Sequence, residues 1–295
     1  MENQPNEEQY KQLIRSVLAS KTIRPGRGGA TTRSTFGVTS RYSLDNNTIP
    51  LLTTKKMFTR GIIEELLWML RGSTNVKELQ ERNVHIWDAH SSREHLDKNP
   101  NTKHLEEGDI GPGYGHQWRH AGAPYKSCTT DYTGIGVDQI NDVINSLRND
   151  PASRRHIVCS WNPVEVNNMA LPPCHCLFQF YLDDRGLSCQ MYQRSADVAL
   201  GVPFNIAFYS ILTHLIAKMI GTNAHELIHV IGDAHIYSDH EDPLIRQLER
   251  EPLGFPTLEI NNVPSDPSGF KSMMVSDFVV KNYKSHPTIK MNLVA

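Results

Sequence analysis

Residues 205–220 read as a helix that is apolar on most of its sides. A surface helix keeps one polar face, so a helix without one must be surrounded by other elements. Residues 61–70 repeat the pattern with Ile62, Ile63, Leu66, Leu67, Trp68, Met69 and Leu70, and Gly72 ends the run. Two such helices demand a large core. A chain of 295 residues, 39% of them hydrophobic, can supply it. No Gly/Ser linker or break in composition divides the chain, so one domain over residues 1–295 is expected. Residues 1–9 are expected to form a flexible tail and residues 91–113, polar and turn-rich, a long surface loop.

Further helices are expected over residues 6–20, 137–147 and 239–250. Strands are expected over 34–44, 156–161, 177–182, 187–193 and 228–231. Strands and helices do not alternate regularly. The expected class is α+β, a large sheet packed with helices around a long buried central helix.

Charged residues make up 21% and the formal net charge is -2. That balance argues against a general binder of nucleic acid or membrane surfaces, so any anion site must be a local arginine cluster. No apolar run reaches membrane-spanning length. The first residues are polar and acidic, unlike a secretory or transit segment. Five cysteines without an export signal are expected to be reduced thiols. The expected location is cytoplasmic, with the nucleus also compatible.

Chemistry concentrates around Leu171-Pro172-Pro173-Cys174-His175-Cys176. A thiol in this setting can be a nucleophile, a metal ligand or a small buried residue. Cys-x-Cys is shorter than the spacing usual in a structural zinc site, so no metal is expected. Arg194 follows a strand expected to pair with the strand after Cys174, which brings a guanidinium near the thiol. Arg27 in a Gly-rich loop, Arg154, Arg155 and Arg194 beside Ser195 suit a phosphate, because a guanidinium bonds two oxygens at once. Each can equally be a solvated surface residue. Glu64 and Glu65 interrupt an apolar helix; either one faces a pocket or both sit at the helix edge. Asn205 is an expected helix N-cap, and its amide also suits a pyrimidine-type edge. His235 and Tyr237 lie two apart, hence on one strand face, where they suit a sugar hydroxyl or a simple polar pair.

The ordered segments Glu65-Leu66-Leu67-Trp68, Ile86-Trp87-Asp88, Tyr114-Gly115, Gln117-Trp118-Arg119, Arg154-Arg155 and Leu171-Pro172-Pro173-Cys174-His175 carry a resemblance. It continues through Gln193-Arg194-Ser195-Ala196-Asp197, Gly201-Val202-Pro203-Phe204-Asn205, Gly232-Asp233-Ala234-His235-Ile236-Tyr237 and Pro287-Thr288-Ile289-Lys290-Met291. Together they resemble the thymidylate synthase family from about Tyr10 onward. The resemblance implies a homodimer formed through the sheet. It implies methylation of dUMP to dTMP, with 5,10-methylenetetrahydrofolate as co-substrate and no metal.

By the same resemblance, Cys174 adds to uracil C6. Arg194 favours the thiolate and holds the phosphate with Arg27 and Ser195, and Arg154 and Arg155 arrive from the other subunit. Asn205 selects uracil, and His235 and Tyr237 hold the ribose. Ala196 and Asp197 also belong to the implied nucleotide site. Glu65 moves protons, Tyr114 helps remove the C5 proton, and His175 orders the network behind the thiol. Trp87, Asp197, Gly201, Phe204 and Ala295 are the implied folate contacts, with the C-terminal residues closing over both ligands.

The chain departs from the family at Gly26, at Arg27-Gly28-Gly29-Ala30-Thr31-Thr32, at Gly113 and at His90. Two alternatives compete. A pyrimidine hydroxymethylase delivers water instead of hydride, and a cytosine-specific one is expected to carry Asp at the position of Asn205. A non-catalytic nucleotide- or RNA-binding protein on the same fold is the other.

Overall fold

The computed structural model describes residues 7–26 and 29–292. Among these, nine α-helices are present: α1 (Glu7–Leu18), α2 (Thr59–Leu70), α3 (Lys77–Glu81), α4 (Asp88–Ser91), α5 (Arg93–Asp97), α6 (Tyr114–His120), α7 (Gln139–Asn149), α8 (Gly201–Met219) and α9 (Glu241–Leu248). The eight strands are β1 (Ile23–Pro25), β2 (Thr31–Ser43), β3 (Ile157–Cys159), β4 (His175–Asp183), β5 (Gly186–Asp197), β6 (Ala224–Tyr237), β7 (Thr257–Ile260) and β8 (Phe278–Lys281). Six strands form one mixed sheet in the order β1-β2-β6-β5-β4-β3, and β7 and β8 form a separate pair. The architecture is α+β, as expected.

Only β5 and β6 run parallel within the large sheet. A parallel pair needs a crossover, and α8 is that crossover. It packs back onto the two strands it connects. Nearly all of its residues are buried, which its apolar surface requires. Phe178 of β4 meets Tyr209 of α8 with ring centroids 5.3 Å apart, so this face of the sheet is the core face. This connection also puts the start of α8 beside the end of β5, and the site depends on that neighbourhood.

Several expectations are corrected. α1 begins at Glu7, so residues 7–9 are not a tail. The Glu7 carboxylate is buried and accepts from the backbone N–H and the hydroxyl of both Thr53 and Thr54, which anchors the helix start. Residues 91–113 are not a surface loop. They contain α5 and bury Leu96, Thr102, Leu105, Asp109 and Ile110. The strand expected over 228–231 is the middle of the longer β6. α8 begins at Gly201 rather than Asn205, with Pro203 inside its first turn, where a missing N–H costs nothing. Asn205 is therefore not an N-cap.

Candidate active site

Cys174 directly precedes β4, and its two backbone groups are both held. Its N–H donates to the Tyr114 hydroxyl at 2.7 Å. Its carbonyl accepts from the Arg194 N–H at 2.8 Å. Arg194 lies inside β5 rather than beyond its end. Its Nε donates to the Pro173 carbonyl and its Nη2 to the Pro172 carbonyl, both at 2.8 Å. The same Nη2 stands 3.9 Å from Cys174 Sγ. The guanidinium also lies over the Trp161 ring, 5.6 Å from its centroid. Prolines offer only carbonyl acceptors, so Pro172 and Pro173 aim the arginine without competing donors. A fixed positive charge thus faces the sulfur before any ligand binds.

Tyr114 is the first residue of α6. A Cβ on the next residue, Gly115, would lie 2.4 Å from the Ser73 carbonyl, so only glycine lets α6 seat against that turn. The Tyr114 ring stacks on His175 with centroids 4.2 Å apart. His175 Nδ1 shares a 2.7 Å hydrogen bond with the Tyr209 hydroxyl. Burial pushes His175 down to about 3, so the ring is neutral at physiological pH. Burial pushes the Tyr114 hydroxyl up, and the neighbouring Cys174 adds to that shift.

The two helix carboxylates divide. Glu64 pairs with Arg82 at 3.6 Å. Glu65 is 7% exposed and its Oε1 accepts from Trp87 Nε1 at 2.6 Å. Burial raises the Glu65 carboxyl to about 7, against the opposing effect of the Trp87 bond. Such a group exchanges protons readily near neutral pH.

Asn205 sits in the second turn of α8, facing β5. Its Oδ1 accepts from Gln193 Nε2 at 3.1 Å, which also donates to the Ser195 carbonyl. Gln193 Oε1 lies 2.9 Å from His229 Nε2. An amide oxygen only accepts, so His229 Nε2 carries the proton. Burial holds His229 neutral, at about 3. This chain fixes the Asn205 amide with its oxygen toward Gln193.

An open cleft of about 1630 Å³ adjoins these residues. Glu65, Trp87, Tyr114, Cys174, His175 and Asn205 line it. Ser195, Asp197, Gly201, Phe204, His235 and Tyr237 line it too. Asp197 is the register partner of His235 across the parallel pair. The His235 and Tyr237 rings stand edge to face at 5.4 Å. A Cβ on Gly201 would make only ordinary contacts, so nothing inside the protein demands glycine there.

Other expected residues stand elsewhere. Arg194 stands beside the sulfur and is only partly buried, and Ala196 is buried; neither is among the residues that line the cleft. Arg154 and Arg155 are exposed and outside it. Arg27 and Ala295 lie outside the described residues.

The sequence reading missed three features. Lys55 is buried beside the cleft, where its Nζ donates to the Ala199 carbonyl and burial lowers it to about 8. Gln193 and His229 act as a chain, which strand alternation could have suggested. His240 is buried, with Nε2 2.9 Å from the Asn292 carbonyl and Nδ1 3.9 Å from Asp197. Only the tertiary fold brings those three together. Among the described residues, no cluster of three or more His, Cys, Asp or Glu is arranged to hold a metal ion. None of their helices is long and apolar enough to cross a membrane.

An α+β fold that gathers one thiol, one aimed guanidinium and one fixed amide around such a cleft has the make-up of a cysteine-nucleophile enzyme. The family model described as "Thymidylate synthase" matches residues 8–295. The chain is 49% identical over 291 residues to "Thymidylate synthase" of Herpesvirus ateles, covering 99% of each protein. It is 49% identical over 285 residues to "Thymidylate synthase" of Homo sapiens, covering 97% of this chain and 90% of the human protein. It is 50% identical over 295 residues to "Probable thymidylate synthase" of Schizosaccharomyces pombe, covering 97% of this chain but 47% of that protein. It thus spans about half of the S. pombe relative and most of the other two. The chain belongs to the thymidylate synthase family, a family of methyltransferases.

Proposed function

We propose that the chain converts dUMP to dTMP with 5,10-methylenetetrahydrofolate as co-substrate. The observation that carries this reading is the pairing of Cys174 with a directionally fixed Asn205 in one cleft. The cleft volume exceeds the roughly 300–1,000 Å³ of a single small-molecule site, which suits two ligands side by side.

Cys174 Sγ adds to C6 of the pyrimidine, and electron density moves to C5. Arg194 balances the negative charge on sulfur and holds phosphate with Ser195 and Arg27. The Asn205 amide offers Nδ2–H to the ring O4 and the free lone pair of Oδ1 to the ring N3–H. Cytosine presents the reverse pattern, and a flipped amide would set Asn205 Nδ2 against Gln193 Nε2. His235 and Tyr237 hold the ribose. Glu65, poised near 7, moves a proton at the ring carbonyl. Tyr114 takes part in removing the C5 proton, and His175 holds that ring in place. The folate supplies one carbon and a hydride and leaves as dihydrofolate. Trp87, Asp197, Gly201 and Phe204 orient it, and the C-terminal residues through Ala295 close the cleft against water.

The working unit is a homodimer through the sheet, with Arg154 and Arg155 reaching the partner's phosphate site. Support comes from the sheet face opposite α8. Ile157 and Tyr181 on that face are 43% and 60% exposed, and Leu177, Tyr192, Ile228 and Val230 are half-buried. The expected location is cytoplasmic or nuclear.

The test is to combine purified protein with dUMP and 5,10-methylenetetrahydrofolate and follow dihydrofolate by absorbance. Turnover with dUMP and not dCMP is the expected result. Folded protein without turnover overturns the reading, and consumption of dCMP without dihydrofolate, read by chromatography of the nucleotide, points to the hydroxymethylase.

A further inference from the structure

A second thiol stands behind the nucleophile. In the β4–β5 ladder His175 pairs with Gln193 and Leu177 with Tyr192, so Cys176 is the extra residue of a β-bulge. A bulge re-aims the side chain it frees. The Cys176 sulfur lies 3.6 Å from the Pro173 carbonyl oxygen and 3.5 Å from the Cys174 carbonyl oxygen. It is therefore folded back over the backbone of the nucleophile. Both thiols stand around one guanidinium, since Arg194 bonds the same Pro173 carbonyl and reaches Cys174 Sγ. Burial pushes the Cys176 thiol up, against the pull of Arg194. Cys176 is thus held as a thiol and does not compete with Cys174 for substrate. It does not line the cleft, whereas Cys174 does.

We infer that Cys174 and Cys176 form a reversible redox pair, in which Cys176 traps the oxidised nucleophile as a Cys174–Cys176 disulfide when a hydroperoxide enters the cleft. The inference rests on Cys174 being the reactive nucleophile proposed above. In the first step the Cys174 thiolate attacks the peroxide. An S–O bond forms, the O–O bond breaks, sulfur is oxidised by two electrons, and hydroxide or alkoxide leaves. In the second step Cys176 sulfur attacks Cys174 sulfur. An S–S bond forms, the S–O bond breaks, and the departing hydroxide takes the Cys176 proton and leaves as water. An external dithiol restores both thiols. Without a neighbouring thiol, sulfenic acid proceeds to the sulfinic and sulfonic acids, which dithiols do not reverse. The pair thus protects the residue on which turnover depends.

The experiment treats the whole purified protein with stoichiometric hydrogen peroxide, with and without dimedone, and maps the peptide carrying Cys174 by tandem mass spectrometry. The wild type is expected to yield a peptide lighter by two hydrogens, with no backbone fragments between Cys174 and Cys176. It is expected to resist dimedone and to regain most of its turnover with dithiothreitol. Cys176→Ala is expected to keep turnover before oxidation. After oxidation it is expected to take up dimedone at Cys174, or to gain two oxygens there, and to regain almost no turnover. Cys176→Ser, closer in size, guards against a packing effect and is expected to behave like Cys176→Ala. Dimedone labelling of Cys174 in the wild type overturns the inference, as does a disulfide to Cys159 or equal recovery of the variants. The peptide map needs no activity, so absent turnover before oxidation counts against the proposed function alone.

Discussion

The back wall of the cleft and its rim are held in different ways. On the wall, Cys174 and Arg194 are tied through backbone hydrogen bonds at the head of a strand ladder, and Asn205 is tied to β5 through Gln193. On the rim, residues 283–292 have no regular structure. Separate ties hold them. The His286 N–H donates to the Thr53 carbonyl, Arg250 donates to the Pro287 carbonyl, and His240 shares a bond with the Asn292 carbonyl. Groups that do chemistry need preorganisation, because reorienting a dipole during reaction costs free energy. Groups that admit and cover ligands need bonds that release one at a time. Loss of a wall residue should therefore lower turnover steeply, and loss of a rim tie should weaken ligand retention.

The largest effect is expected for Cys174→Ala. Removing a nucleophile commonly costs about 10⁴-fold or more in turnover. Binding of dUMP, read by calorimetry, is expected to persist, because phosphate, ribose and base contacts remain. Substantial residual turnover would break the assignment of the wall.

Glu65→Gln comes next, with an expected loss of about 10²–10³-fold in kcat. The wild-type rate is expected to show an inflection near pH 7, and the variant is expected to lose it. Stability supplies an independent readout. The Glu65 carboxyl stands at about 7 in the folded chain against 4.5 when unperturbed. Its folded value is raised, so the wild type binds more protons when folded. The corresponding stability is present below pH 4.5 and is lost as pH rises to about 7. The Tm of Glu65→Gln should therefore gain on the wild type across that interval. His175 and His229 act in the opposite sense. Both fall from 6.5 to about 3, so their contribution is present above pH 6.5 and is lost as pH falls toward 3.

A smaller effect tests the amide chain. Gln193→Leu removes the donor that orients Asn205. A lost hydrogen bond of roughly 1.4 kcal/mol corresponds to about tenfold, so kcat/KM for dUMP relative to dCMP should fall by about that factor. Unchanged discrimination would mean that Asn205 is oriented by the ligand rather than by the wall.

The same contrast explains what was legible in the sequence. The helices over 61–70 and 205–220 were visible because their burial is written in local apolar runs. β6 was seen only at its middle. Its polar residues are satisfied by neighbouring strands, as Glu226 is by Arg41 of β2, and no sequence window shows that partner. Residues 91–113 looked like surface because they are polar. Thr102 is nevertheless buried, with its hydroxyl donating to the Leu96 carbonyl, and Asp109 accepts from Tyr125 and from two backbone N–H groups. At the site, residue types and their strand faces were readable, including the shared face of His235 and Tyr237. The division of labour between Glu64 and Glu65 was not, because it depends on the reach of Trp87 and Arg82 from other segments.

The smallest effect bears on the rim. His240 stands between the Asn292 carbonyl and Asp197. Burial lowers its pKa, but Asp197 and the Asn292 carbonyl outweigh burial and raise it above 6.5. The charged groups facing it are Asp197 from β5 and Asp239 from its own turn. The protonated ring donates to the carbonyl and also pairs by charge with the carboxylate 3.9 Å away, and the neutral ring loses that charge pairing. Because the folded value is raised, this double tie is present at low pH and fades as pH rises through that value. His240→Leu should therefore raise the KM for folate by about three- to tenfold, the worth of one part-exposed bond, and leave the Kd for dUMP unchanged. The KM for folate in the wild type should climb with pH, and in the variant it should be flat. A fall in kcat as large as that of Glu65→Gln would place His240 in the wall and erase the distinction between the two regions.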